Sequence, residues 1–184
     1  MRVITGSARG RRLKELKGMD TRPTTDQVKE GMFNILQFDI EGRRVLDLFA
    51  GTGQLGIEAL SRGAASAVFV EARKDAAALV KENLALCGFE TQAKCVLGDA
   101  LGYLSSLREQ FDLIFLDPPY DSELLEKAIA HIARFDILAP HGIMVAESRA
   151  EKLLPALNAP YGIYRDYRYG RIKLTVYKRA GDDE

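Results

Sequence analysis

Apolar positions along this chain follow two rhythms. Short continuous apolar runs, bounded by glycine or acidic residues, predict strands buried on both faces over residues 45–49, 67–70, 94–97, 113–116 and 142–146. Between them apolar residues recur at three- and four-residue spacing. Val28, Met32, Ile35 and Leu36 share one helical face; Ala76, Val80, Leu84 and Cys87 share another on a helix over 74–87 that Gly88 should stop. Further helices are predicted over 55–62, 100–107 and 124–135, the last with Leu125, Ala128, Ile132 and Phe135 inward. Thr24 with Gln27 fits a capping box for the helix carrying Val28, and Asp26 suits its positive end. Gly31 costs that helix about 1 kcal/mol relative to alanine, and the pattern gives no reason for it.

Strands alternating with helices predict an α/β domain: a mostly parallel sheet with helices on both faces. The last segment breaks the rhythm. Residues 161–167 and 171–177 read as an antiparallel hairpin around Tyr169 and Gly170, bringing the sheet to seven strands. Residues 1–22 form a short N-terminal extension of the same domain, with extended segments over 2–5 and 12–16 around a flexible loop. Residues 23–184 are the single main domain, and only 180–184 are expected to be disordered.

At 184 residues, with 47% hydrophobic and 28% charged side chains, the chain can bury a stable core without staples. No apolar run approaches the ~20 residues that span a bilayer, and the N-terminus lacks the apolar core of a signal peptide. A cytoplasmic protein is expected. Cys87 and Cys95 fit no metal-ligand spacing and read as inert buried thiols. His131 and His141 read as surface residues without a metal partner.

Zero net charge hides an uneven distribution. Residues 1–22 carry seven basic side chains against two acids, and residues 165–179 carry six against one. The acids are concentrated between these ends. Such segregation suits a polyanion beside an acidic pocket, although solvated strand edges also favour Lys and Arg. Arg9, Arg11, Arg12 and Arg22 at one end, with Arg168 and Arg171 at the other, are the candidate phosphate contacts.

The stretch 44–56, R-V-L-D-L-F-A-G-T-G-Q-L-G, is a strand, a glycine turn and a helix start. Glycines let a ligand approach the backbone closely, and the first helical turn offers unpaired N–H groups. G-T-G-Q-L-G with Glu71 twenty residues beyond Gly51 also satisfies the dinucleotide fingerprint. Three features favour S-adenosylmethionine instead. Asp47 inside the strand can pair an ammonium, Asp99 at the end of another strand can accept from an adenine amino group, and no residues remain for a dehydrogenase's second domain. Asp47, Glu71, Asp99 and Asp117 all fall at strand carboxyl ends, where they would repel one another without a ligand.

Asp117-Pro118-Pro119-Tyr120 suits methyl transfer to an exocyclic amine, whose lone pair is delocalised into its ring. A carboxylate and a backbone carbonyl accepting from the NH₂ group can turn that lone pair toward the methyl donor. Prolines fix the backbone, and an aromatic ring can stack on the base. Asp117 can also stabilise positive charge developing on the nitrogen. A strand-ending turn with a core tyrosine is the plainer reading of the tetrapeptide alone.

Taken together, the blocks G-S-A-R-G-R-R-L (6–13), R-P-T-T-D-Q-V-K-E-G-M-F-N (22–34), D-L-F-A-G-T-G-Q-L-G-I-E-A-L-S-R-G-A (47–64), V-E-A (70–72), D-A (99–100) and D-P-P-Y (117–120) cover nearly the whole chain. They resemble the RsmD-type bacterial 16S rRNA guanine-N(2) methyltransferases, within the Rossmann-like S-adenosylmethionine-dependent class. The resemblance implies that Asp47, Phe49, Ala50, Gly51, Thr52 and Gly53 hold the methionine part of S-adenosylmethionine. Glu71 would serve the ribose and Asp99, Ala100 and Leu101 the adenine, with Ala72 also in the cofactor site. Thr24 and Thr25 would close over the cofactor, while Asp117, Pro118, Pro119 and Tyr120 hold the guanine. Gln27 and Gly31 depart from the residues usual there. The implied substrate is an assembled or assembling small ribosomal subunit, met by a monomer without metal. Methylation of a DNA adenine amine, a non-catalytic RNA-binding assembly factor, and a nicotinamide-dependent reductase are the competing readings.

Overall fold

Val45, Leu46, Leu113, Ile114, Phe115 and Leu116 are all buried to within about 1% exposure, because their strands are covered on both faces. In this computed structural model, which describes residues 1–17, 25–119 and 122–181, those strands sit at the centre of a seven-stranded sheet. The elements run α1 (Asp26–Ile35), β1 (Arg44–Asp47), α2 (Gln54–Ser61), β2 (Ser66–Glu71), α3 (Lys74–Cys87), β3 (Ala93–Leu97) and α4 (Ala100–Ser106). They continue with β4 (Phe111–Leu116), α5 (Leu124–Arg134), β5 (Leu138–Arg149), β6 (Tyr161–Tyr169) and β7 (Ile172–Arg179).

The strand order is β3-β2-β1-β4-β5-β7-β6. Strands β1 to β5 are parallel, and β7 runs antiparallel to both β5 and β6. The α/β fold with its C-terminal hairpin is thus the one the alternation predicts. Chain order reverses between β1 and β4, and such a reversal opens a crevice at the strand carboxyl ends. One face of the sheet packs on α1, α2, α3 and the N-terminal segment, the other on α4 and α5.

Several expectations need correction. The cap of α1 is Thr25, whose hydroxyl accepts from the Val28 N–H at 3.3 Å; Thr24 and the proposed box lie outside the described residues. Phe135 does not point inward. α5 ends at Arg134, so Phe135 leaves the helical stripe, is 39% exposed, and lies 5.6 Å from the His131 ring; Ile129 takes the inward position. β5 is longer than predicted because Pro140, His141 and Gly142 resemble a turn, yet the strand passes through them with His141 at φ 60°. Ala180 is not loose: its N–H donates to the Pro160 carbonyl at 2.9 Å, and residues 182–184 lie outside the described set.

The largest departure concerns the N-terminal segment, expected to be a flexible loop between extended pieces. Only an isolated antiparallel bridge, Arg2 with Arg12, forms there. The segment is nevertheless anchored. The buried Glu58 carboxylate accepts from the N–H groups of Ile4 and Thr5, and Ser61 takes the Ala8 N–H at 2.9 Å. Val3, Ala8 and Leu13 join the core. Lys29 of α1, 1% exposed, lies 3.5 Å from Glu58 and donates to the Arg2 carbonyl. Burial pushes its ammonium below the usual lysine value, although Glu58 opposes the shift. Anchors 50 or more residues away leave no local signal.

Candidate functional site

The crevice at the sheet reversal is a cleft of about 830 Å³, within the size range of cofactor sites. Asp47, Glu71, Asp99 and Asp117 all line it, with Phe49, Ala50, Gly51, Thr52, Ala72, Ala100, Pro118 and Pro119. Four acids from four strand ends therefore meet in one place. Gly53 and Leu101 are not on the wall, and neither is Thr25. Thr24, Arg22 and Tyr120 lie outside the described residues.

Asp47, Glu71 and Asp99 also have work inside the protein. The residue before α2, Gly53, lies in the left-handed region with φ 91° and has no side chain to cap the helix. The Asp47 carboxylate substitutes from the preceding strand, accepting from the Gly56 N–H at 3.0 Å. Glu71 accepts from the Gly51 N–H at 2.8 Å and the Arg73 N–H at 3.1 Å, fastening the glycine turn to β2. Asp99 caps α4 through the Gly102 N–H at 2.7 Å. These bonds explain Asp47, Glu71 and Asp99 locally.

Ionising Asp47 is unfavourable where it stands. Burial pushes the Asp47 carboxyl up to about 7, with repulsion from Asp117 and Glu71 adding to the shift and the Gly56 hydrogen bond opposing it. A cation entering the cleft would relieve the repulsion. Gly51, at φ 58°, has open space where a side chain would stand, so a ligand can lie against its backbone. The donor set fits a cofactor carrying an ammonium and a sulfonium.

Sequence reasoning missed part of the wall. Gln54 lines the cleft at 9% exposure, and its side-chain oxygen has no hydrogen-bond partner. Its place directly after the glycine turn could have marked it. Met1, Glu15 and Leu16 also line the cleft, with the Met1 ammonium 2.7 Å from Glu15. They arrive by tertiary docking, which no local pattern announces.

The remaining candidates lie outside the cleft. Arg9, Arg11, Arg12, Arg168 and Arg171 are exposed. Cys87 and Cys95 are half-buried rather than buried, and desolvation pushes both thiols up, away from reactive thiolate. His131 is half-buried and His141 exposed. Among the described residues no cluster of metal-ligating side chains forms, and no helix is long and apolar enough to cross a membrane.

The family described as Conserved hypothetical protein 95 matches residues 1–178. The chain belongs to this family. It is 34% identical over 184 residues to "Ribosomal RNA small subunit methyltransferase D" of Escherichia coli strain K12, covering 100% of this chain and 92% of that one. It is 40% identical over 158 residues to the protein of the same name from Haemophilus influenzae, covering 84% and 81%. Among solved structures, "Putative methyltransferase yhhF from Escherichia coli" superposes with a TM-score of 0.88 at 33% identity, covering 99% of each chain. Likeness to relatives of this kind, along nearly the whole chain, confirms the family and the methyltransferase fold.

Proposed function

We propose that this chain transfers a methyl group from S-adenosylmethionine to the exocyclic N2 amine of a guanine in small-subunit rRNA. The observation that carries the reading is the meeting of Asp47, Glu71, Asp99 and Asp117 in one cleft beside Pro118 and Pro119. The names of its relatives support the rRNA substrate. Bound in the cleft, the cofactor supplies an electrophilic methyl group on a sulfonium.

The chain's residues do the rest by positioning. Asp47 and the glycine turn serve the methionine end, Glu71 the ribose, and Asp99 with Ala100 the adenine. The unpaired Gln54 oxygen is a further acceptor on the methionine side. Asp117 and the Pro118 carbonyl accept the two N–H bonds of the guanine amine, so its lone pair faces the methyl. Tyr120 stacks on the base, which must leave its helix to reach it. Asp117 would stabilise the positive charge that develops on the nitrogen as it takes the methyl group and the cofactor's carbon–sulfur bond breaks, and the excess proton would leave to water. Alignment supplies most of the acceleration.

Both basic segments lean on α1. Lys29 holds the Arg2 carbonyl, and Tyr169 of the hairpin packs on Gly31. This supports a continuous cationic border for RNA, gripped by Arg9, Arg11, Arg12, Arg22, Arg168 and Arg171. We take the enzyme to be a cytoplasmic monomer that needs no metal and acts on an assembled or assembling small subunit. Incubating the protein with labelled S-adenosylmethionine and either small ribosomal subunits or duplex DNA tests the reading. Label on one rRNA guanine, mapped by mass, is the expected result; label on DNA, or cofactor binding without turnover, would reject it.

A further inference from the structure

The outer strand of the hairpin carries rings as well as charges. β6 ends the strand order, and a sheet edge invites pairing with another chain unless something blunts it. Exposed basic side chains do so, which would account for Arg165 and Lys178. It would not account for the aromatic residues between them, because exposed rings make an edge stickier. Tyr164 is nevertheless 54% exposed, and Tyr167 is half-buried.

A bulge sets the direction of Tyr164. Ile163 is in register with Tyr177 and Arg165 with Val176, so Tyr164 has no opposite number on β7. An extra residue of this kind re-aims its side chain. The Lys178 ammonium lies 3.7 Å from the centre of the Tyr164 ring. The Arg165 guanidinium carbon lies 5.7 Å from the same ring and 5.8 Å from that of Tyr167. Val176 opposite Arg165 and Leu174 opposite Tyr167 both belong to the core on the α1 face, and Lys178 follows Val176 by two residues. Cations and rings therefore alternate along one face of the hairpin. Asp166, the one acid of β6, accepts from the Thr175 hydroxyl at 2.7 Å on the opposite face.

This ladder lies outside the cofactor cleft but level with it. None of its four side chains lines the cleft. Leu174 is in register with Tyr167 on one side and Glu147 on the other, which sets Tyr167 at the height of the strand carboxyl ends. Three strand spacings of about 4.8 Å separate β6 from β4.

We infer that Tyr164, flanked by Arg165 and Lys178, is a stacking platform for an unpaired base of the RNA, away from the nucleotide that is methylated. The inference rests on the RNA reading above and adds a base contact to its phosphate contacts. An unpaired nucleotide presents a flat π face and a phosphate; the ladder offers a ring to the first and cations to the second. A duplex keeps its base faces stacked on one another and would meet only the cations. A second copy of the chain pairing edge to edge would bring like charge against Arg165 and Lys178.

The test measures binding of the full chain to a single-stranded RNA 12-mer without self-complementarity, to its duplex, and to a 12-mer lacking bases. Wild-type protein should bind the single strand tightest. Tyr164→Ala should weaken that binding about 5- to 150-fold, leave the baseless strand unaffected, and leave the slope of log affinity against log salt unchanged. Tyr164→Phe, which keeps the ring, should bind like wild type. Arg165→Gln and Lys178→Gln should each flatten the slope by about 0.7. Melting temperatures establish that each variant is folded. Unchanged single-strand affinity in folded Tyr164→Ala would overturn the inference, as would an equal loss on the baseless strand. A change in self-association alone would assign the ring to contact between copies and overturn it too. Methylation of small subunits is scored separately, so its absence with stacking intact would reject the functional reading and not the platform.

Discussion

The Asn83 side-chain nitrogen donates to the Thr52 carbonyl at 2.9 Å, tying α3 to the middle of the glycine turn. The same nitrogen donates to the Lys14 carbonyl at 3.1 Å, and the side-chain oxygen accepts from the Lys14 N–H at 2.7 Å. One fully buried amide thus fixes both the cofactor turn and the N-terminal segment. Asn83→Asp keeps an acceptor for Lys14 but removes both donors, leaving two carbonyls facing a carboxylate. It should weaken S-adenosylhomocysteine binding about 10-fold or more and expose residues 1–17 to proteolysis together, since buried charge-assisted losses cost ~1–3 kcal/mol. Calorimetry and limited proteolysis check this; loss of one property without the other would uncouple the two contacts.

Asp47 makes both stability and cofactor affinity depend on pH, in opposite directions. Its carboxyl is raised to about 7 in the folded protein, against about 3.9 in an unfolded chain. The native state therefore binds the extra proton between those values, and stability falls as pH rises through that window. Asp47→Asn removes the dependence. Wild-type and variant melting temperatures should converge near pH 4 and separate up to pH 7, with the variant the more stable. A cationic ligand favours the ionised carboxylate, so wild-type S-adenosylhomocysteine affinity should rise toward pH 7, with proton release near pH 6. A flat pH profile in both measurements would contradict this assignment.

What the sequence made visible was whatever is periodic or short-range. The strands holding Val45, Val70 and Leu116 are continuous apolar runs, and each ends in an acid that the sheet carries to a common edge. The α3 stop at Gly88, at φ 74°, is equally local. What stayed hidden depends on distant partners. Glu58 and Ser61 read as ordinary helical residues until the N-terminal segment is laid across them. Glu71 and Asp99 were legible as acids at strand ends, but their hydrogen bonds to Gly51 and Gly102 follow from backbone geometry. Pro140 and His141 look like a turn and are carried through by pairing of β5 with its neighbours.

Gly31 has its reason in the hairpin. A Cβ built there would stand 2.5 Å from the Tyr169 hydroxyl oxygen and 2.6 Å from the ring carbon bearing it. Gly31→Ala should therefore destabilise the protein, since overpacking at about 1–3 kcal/mol exceeds the roughly 1 kcal/mol gained in helix propensity. In a Tyr169→Ala background the clash disappears and the same substitution should stabilise. Melting curves of the four proteins form a double-mutant cycle, and an unchanged sign across it would refute the contact.

Asp117 should separate chemistry from cofactor binding. Asp117→Ala removes the acceptor for the amine and the counter-charge for the developing cation, a loss of about 10²–10³ in kcat. It also removes a negative neighbour that raises the Asp47 carboxyl. S-adenosylhomocysteine affinity should then be undiminished and, near pH 6, slightly tighter. Turnover that survives the substitution would reject the catalytic role.

The two basic segments should behave as one RNA-binding border. Arg9, Arg11 and Arg12 are exposed on a segment held to α1 through Lys29, and Arg168 and Arg171 are exposed on the hairpin whose Tyr169 packs against α1. None of these arginines lines the cofactor cleft. Substituting Arg9, Arg11 and Arg12 by Gln should leave S-adenosylhomocysteine affinity intact and weaken binding to small-subunit rRNA. Each lost phosphate contact should flatten the plot of log affinity against log salt by about 0.7–0.9. Arg168→Gln with Arg171→Gln should do the same, and the two sets should add, because separate phosphate contacts are independent. Filter binding across a salt series measures the slopes. A slope unchanged by either set would remove that segment from the interface and leave its charge to solvation of a strand edge.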